Sequence, residues 1–191
     1  MTERRLRPNK VGVYETPAHK ALLSAVDAHF KKTDTLKAAE IGVAQGWGSA
    51  ILLKNFPNLF LYMIDSYLDN AFNRDMGDLL RLGRDNTNKY SNRRAIFVCS
   101  SAFAEPLFED ESLDFVFIDA GHRYKSVKLD LDLWEPKVKK GGLLVGHDYD
   151  GRRDKKGTWG VKKAVDEYAE RYGYDVQVYP STIWSCVKGK E

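Results

Sequence analysis

Four places in the chain put chemistry-bearing side chains at the end of an apolar run. LDFVFI is followed by Asp119 and, three residues on, His122; GGLLVG is followed by His147 and Asp148. LKAA runs into Glu40, with Gly42, Gly46, Gly48 and Ser49 close behind, and LFLYMI ends on Asp65. Carboxylates and imidazoles grouped in this way can move a proton near neutral pH, where histidine titrates. They can equally hold a divalent cation. Glycines directly after an apolar run let the backbone turn tightly and come close to a ligand.

These residues need a scaffold that gathers them. The apolar runs at Leu36–Gly42, Leu59–Asp65, Arg94–Ser100, Leu113–Asp119 and Gly141–Asp148 read as strands, each short and bounded by turn residues. Between them lie segments with helical spacing: Gly48–Phe56, part of the stretch Asp69–Asn92 with Met76, Leu79, Leu80 and Leu82 on its apolar side, and Lys125–Val138. Thr16-Pro17 reads as the cap and first turn of an opening helix. Val161, Ala164, Val165, Tyr168 and Tyr172 share one face of a late helix that Gly173 can end. Two further strands, joined by a Pro-Ser turn, close the chain as an antiparallel hairpin. Strands alternating with helices predict an α/β fold: a Rossmann-like three-layer sandwich on a mostly parallel, seven-stranded sheet. In such sheets ligands bind outside the carboxyl ends of the strands. Asp65, Ser100, Asp119, His147 and Asp148 are therefore expected along one edge of one sheet.

The chain has 191 residues, 43% of them hydrophobic and 30% charged, with a net charge of +3. That suits one domain spanning residues 1–191, with residues 1–15 as an N-terminal arm. The charge balance gives no electrostatic case for nucleic acid. No run is long enough to span a membrane, so a cytoplasmic protein is expected, and a homodimer is compatible with these features. Cys99 and Cys186 sit in apolar runs and read as buried free thiols. Arg93-Arg94 and Lys137–Lys140 precede strands and read as solvated turns; Arg152–Lys156 falls in a polar loop, Asp150–Thr158, that would overhang the site. Asp130 and Asp132 read as the solvated face of their helix, and Trp134 and Trp184 as core.

The glycine spacing is informative. Glu-x-Gly-x-x-x-Gly-x-Gly-Ser departs from the Gly-x-Gly-x-x-Gly of dinucleotide sites, which brings a pyrophosphate to a helix N-terminus. It resembles the loop of class I S-adenosylmethionine (SAM)-dependent methyltransferases. The string FIDAGHRYKSVKLDLDLWEPKVKKGGLLVGHDYD is similar to a branch that includes macrolide-sugar O-methyltransferases and cephalosporin hydroxylase-like small methyltransferases. The likeness runs from about Ala39 to Tyr168.

That resemblance implies a set of roles. Glu40, Gly42, Val43, Gly46, Trp47, Gly48 and Ser49 would bind the methionine portion of the cofactor. Asp65 and Ser66 would hold the ribose, and Ser100, Ser101 and Ala102 the adenine, with Asp119 also near the cofactor. Asp119, His147 and Asp148 would bind a divalent cation such as magnesium or manganese, and His122 and Asp119 would be catalytic, His122 as base. The imidazole of His147 departs from the family's oxygen ligand and suits manganese, iron, nickel or zinc better than magnesium. The implied activity is transfer of a methyl group from SAM to a small-molecule hydroxyl. Two other readings stay open on the same residues: a metal-dependent oxygenase or hydrolase built on the Asp/His cluster, and a non-catalytic cofactor-binding protein.

Overall fold

Alternation of side chains along the strands sorts the apolar residues into two layers, one on each face of a central sheet. In the first strand, β1 (Leu36–Ile41), Ala39 and Ile41 pack into one layer, and Leu36 and Ala38 into the other. β4 (Leu113–Ile118) repeats this, with Val116 and Ile118 on one side and Phe115 and Phe117 on the other. Strands buried on both faces read as unbroken apolar runs, and that is why their sequence signal was strong. The computed structural model describes residues 14–68, 76–150 and 159–189.

Along the chain the elements are α1 (Pro17–Asp27), β1, α2 (Trp47–Asn55), β2 (Leu59–Asp65), α3 (Met76–Asn86), β3 (Arg94–Val98), α4 (Ser101–Ala104), β4, α5 (Tyr124–Trp134), β5 (Val138–Gly146), α6 (Val161–Tyr172), β6 (Gln177–Tyr179) and β7 (Ile183–Val187). Among the described residues they build a seven-stranded sheet in the order β3-β2-β1-β4-β5-β7-β6. The first five strands of that order pair in parallel; β7 runs antiparallel to both β5 and β6. The α/β sandwich with its closing antiparallel hairpin is therefore the observed fold. No helix among the described residues is long and apolar enough to cross a membrane.

One layer is filled from α5 and α6 by Val127, Leu131, Trp134, Val161 and Val165, the other from α1 and α2 by Leu22, Val26, Leu52 and Leu53. Trp134 and Trp184 are both core, fully out of solvent; truncating a buried tryptophan to alanine costs about 3–5 kcal/mol. Thr16 caps α1 by accepting from the His19 backbone N–H, and the His19 ring accepts in return from the Thr16 N–H. Gly173 ends α6 in the left-handed region.

Two expectations for basic residues change. Lys137 is not in a solvated turn: it is 8% exposed, and its ammonium reaches Glu105 at 2.7 Å and Asp110 at 2.8 Å. Arg93 donates to the carbonyls of Leu53, Phe56 and Leu59, which ties the end of α2 to β2. Both had the charge of a surface turn, but their long stems and many donors serve main-chain and carboxylate acceptors instead. The Arg152–Lys156 cluster and most of the expected arm lie outside the described residues.

Chain order reverses at β1, which lies between β2 and β4. Such a switch point opens a crevice at the carboxyl ends of the strands, because the connections on either side of it leave in opposite directions.

Candidate active site

A cavity of about 630 Å³ fills that crevice. Its wall takes Glu40, Gly42, Val43, Trp47 and Gly48 from the turn after β1, Asp65 and Ser66 from β2, Ser100 and Ser101 after β3, Asp119 and His122 after β4, and His147 and Asp148 after β5. The strand-end residues expected along one sheet edge thus share one cavity. Three residues of the expected set are absent from the wall. Gly46 is the N-cap of α2, Ser49 is fully buried beneath the turn, and Ala102 is exposed on α4.

The turn after β1 is held from below and from the side. Gly42 has φ of +92°, and a Cβ there would lie 2.4 Å from the main-chain oxygen of Asp119. No side chain fits between the β1 turn and the β4 turn. At Gly48 a Cβ would lie 2.6 Å from Glu40 Oε1, so the first turn of α2 closes directly over a carboxyl. Ser49 donates its hydroxyl to the other Glu40 oxygen. Burial pushes the Glu40 carboxyl up to about 8, against the pull of the Ser49 hydrogen bond.

Asp65 organises the same turn. Its Oδ2 accepts from the N–H groups of Val43 and Ala44, both at 2.8 Å, and its Oδ1 accepts from Tyr67 N–H at 2.7 Å. Three non-glycine residues of the wall sit in the left-handed region: Ala44 (φ 47°), Tyr67 (φ 53°) and Asp148 (φ 60°). That conformation is uncommon outside glycine and costs about 1–3 kcal/mol at each position.

At the far side of the cavity the acids and imidazoles converge. His122 Nε2 lies 2.8 Å from Asp148 Oδ2. His147 Nδ1 lies 3.3 Å from that same oxygen and 3.4 Å from Asp119 Oδ1. Burial alone would lower the His147 pKa, but the hydrogen bonds that its ring donates to Asp119 and Asp148 outweigh it and push it up to about 10. For Asp148, burial is outweighed by hydrogen bonds from His122 and His147, and its carboxyl stays well below the usual range. Asp148 is therefore ionised, and His122 Nε2 carries the hydrogen that it donates. The other ring nitrogen of a neutral His122, Nδ1, keeps its lone pair.

His122 is also fixed by its surroundings. Its ring stacks on Trp159, with centroids 4.3 Å apart and planes 8° from parallel. Its carbonyl accepts from Gly160 N–H at 2.9 Å, and Arg123 bridges to Trp159 in antiparallel fashion. Asp119, His122 and Asp148 each offer a ligand atom, all within 4.8 Å of one another. The expected cation set had His147 in place of His122; in the structure His147 lies between the two carboxylates, and His122 joins them.

Several wall residues were not singled out from the sequence. Tyr67 and His19 belong to it, and Trp159 stacks on it. One assignment is corrected. Asp130 is not on a solvated face: it is 4% exposed, lines the cavity, and accepts from Ser101 Oγ at 2.6 Å. The signal was present. Val127, Asp130, Leu131 and Trp134 follow the i, i+3, i+4, i+7 rule that marks one helix face, and all four are buried. Asp132 is the solvated one, paired with Lys128.

Known proteins share this fold. Residues 39–149 match the family described as Methyltransferase domain, which is more than half of the chain. A search of curated proteins finds no match. Among solved structures, a Staphylococcus aureus protein assigned as a caffeoyl-CoA O-methyltransferase superposes with a TM-score of 0.70 at 16% identity, covering 95% of this chain and 87% of that one. A precorrin-6y C5,15-methyltransferase from Geobacter metallireducens gives 0.66 at 18% identity, covering 100% and 94%. A Corynebacterium glutamicum protein gives 0.69 at 18% identity, covering 93% and 82%. At these identities the likeness shows a shared fold. With the glycine turn, the strand-two acid and the family match over residues 39–149, the chain belongs to the Methyltransferase domain family and is a class I SAM-dependent methyltransferase.

Proposed function

We propose that the enzyme methylates a hydroxyl oxygen of a small molecule, with a divalent cation assisting. The observation that carries this reading is that the glycine turn and the Asp119, His122, His147, Asp148 cluster face the same cavity. Oxygen methylation needs a group that removes or weakens a hydroxyl proton beside the methyl donor. The O-methyltransferase assignment of the Staphylococcus aureus protein of the same fold points in the same direction.

The residues fit the cofactor. Gly42 and Gly48 bring their backbone into the cavity wall, and the Asp65 oxygens keep further lone pairs for hydroxyl donors. Bound SAM supplies an electrophilic methyl on a sulfonium, open to in-line displacement. Asp119 and Asp148 would also fit a cation, through one oxygen each, with His122 beside them as the base. Carboxylate oxygens suit magnesium or manganese, and such an ion would supply Lewis acidity that lowers a hydroxyl pKa. The chain's own residues do the rest. Asp148 orients His122 through Nε2, Trp159 holds the ring plane, and His122 Nδ1 is the atom that takes the acceptor's proton. His147, protonated between Asp119 and Asp148, offsets their paired negative charge.

The test is a thermal-shift titration with SAM, S-adenosylhomocysteine and NAD, each with EDTA or with added magnesium or manganese, followed by transfer of labelled methyl to a panel of hydroxylated acceptors. A ligand at about 100 times its Kd stabilises the fold by about 2.7 kcal/mol. The expected result is a shift with both sulfur cofactors, none with NAD, and label appearing on oxygen. Label on nitrogen or carbon, or transfer indifferent to Asp119→Ala, overturns the proposal.

A further inference from the structure

Asp130 is an acid of the cavity wall with no use in the chemistry above. It comes from α5, and its carboxyl meets a hydroxyl rather than a cation: Ser101 Oγ holds Oδ1 at 2.6 Å. That bond leaves Oδ2 without a side-chain partner among the described residues. Burial pushes this carboxyl up to about 6, with the Ser101 bond pulling the other way. A tie between α4 and α5 alone would be made as well by a neutral asparagine, without the cost of burying a charge. An acid kept in such a place, with one oxygen spare, is suited to accept from a ligand N–H.

The shape of the cofactor says which N–H. In SAM the sulfur is carried on C5′ of the ribose and the base on C1′, so the two leave the sugar in different directions. The methyl must reach the acids and imidazoles after β4 and β5. The acid suited to the ribose, Asp65, ends β2, which pairs with β3 on its other side. The base is therefore directed away from the catalytic cluster, toward the turn after β3. That turn carries Ser100 and Ser101, and Leu129 and Asp130 stand across from it on α5. Leu129 is an exposed apolar side chain in the cavity wall, a cover for a planar ring.

We infer that Asp130, held by Ser101, selects the base of the cofactor by accepting a hydrogen bond at Oδ2 from an exocyclic amino group of the purine. This rests on the cofactor assignment made above. It makes Asp130 a specificity-determining residue for an aminopurine over an oxopurine, where a carbonyl would face a carboxylate oxygen. Ser101 is the positioning partner: with Oδ1 engaged, only Oδ2 is left for the ligand.

The experiment compares binding of S-adenosylhomocysteine and S-inosylhomocysteine, which differ by an amino against a carbonyl group at C6 and by the proton that the latter carries on N1, by calorimetry on the full chain. Wild type is expected to favour the adenosyl compound by about tenfold or more, the range of a hydrogen bond to a charged group. Asp130→Asn, which can donate to the carbonyl, is expected to shrink or invert that preference, and Ser101→Ala to weaken it. Ligand-free melting temperatures of both variants check that the fold is intact. If Asp130→Asn weakens both compounds equally, or changes neither, the inference is overturned while the cofactor assignment stands. If wild type binds neither compound, the cofactor assignment fails first.

Discussion

His122 Nε2 lies 2.8 Å from Asp148 Oδ2, although the two residues end different strand connections, one after β4 and one after β5. The pairing fixes the tautomer of the imidazole and leaves Nδ1 as its proton acceptor. Replacing His122 by Asn is expected to lower kcat by about 10²–10⁴, the usual worth of a positioned general base. The Kd for S-adenosylhomocysteine should change little. Single-turnover methyl transfer with product binding measured alongside separates the two effects.

Trp159 lies flat on the His122 ring, centroids 4.3 Å apart. Trp159→Ala frees that ring and is expected to lower kcat by about tenfold, since small misplacements of a catalytic group are costly. Trp159→Phe keeps a flat surface and should restore most of it. Equal losses in both variants would point away from ring stacking as the cause.

The narrowest contact of the site is at Gly42, where a Cβ would stand 2.4 Å from the Asp119 carbonyl at a φ of +92°. Gly42→Ala is expected to destabilise the protein by about 2–5 kcal/mol through strain and overpacking. It should also remove the thermal shift given by SAM. Urea denaturation measures the first effect and a melting titration the second.

Glu40 gives a pH signature. Its carboxyl is raised by burial from 4.5 to about 8, so the folded state binds this proton more tightly than the unfolded chain does. The stabilisation is complete below about pH 4.5 and is lost as pH rises toward about 8, at no more than about 1.4 kcal/mol per pH unit. Melting temperatures of the ligand-free protein across this window should fall more steeply for wild type than for Glu40→Gln. Parallel curves would mean that Glu40 is not the group responsible.

The proposed cation is the remaining lever. Manganese is expected to raise the melting temperature, EDTA to reverse that rise, and Asp119→Ala to abolish it while the shift with S-adenosylhomocysteine persists. A manganese response that survives Asp119→Ala would place the ion elsewhere.

The sequence by itself determined the strands, because β1, β2, β4 and β5 are buried on both faces and show as unbroken apolar runs ending in Glu40-Ile41, Asp65, Asp119 and His147-Asp148. Strand ends of a parallel sheet share an edge, so those residues were bound to meet at one rim. The glycine spacing carried the cofactor class because both positions are crowded: Gly48 closes over Glu40 within the turn itself, and Gly42 faces the Asp119 main chain after β4. Other features depended on residues far apart in the chain. Trp159 meets His122 across a bridge, Lys137 is drawn in by Glu105 and Asp110, and Arg93 reaches carbonyls of α2 and β2. Asp130 was half legible, its position on the apolar face of α5 written in the spacing, its charge suggesting solvent. Only the tertiary structure decided between them, by setting the Ser101 hydroxyl and a cavity against a carboxyl that the helix had already turned inward.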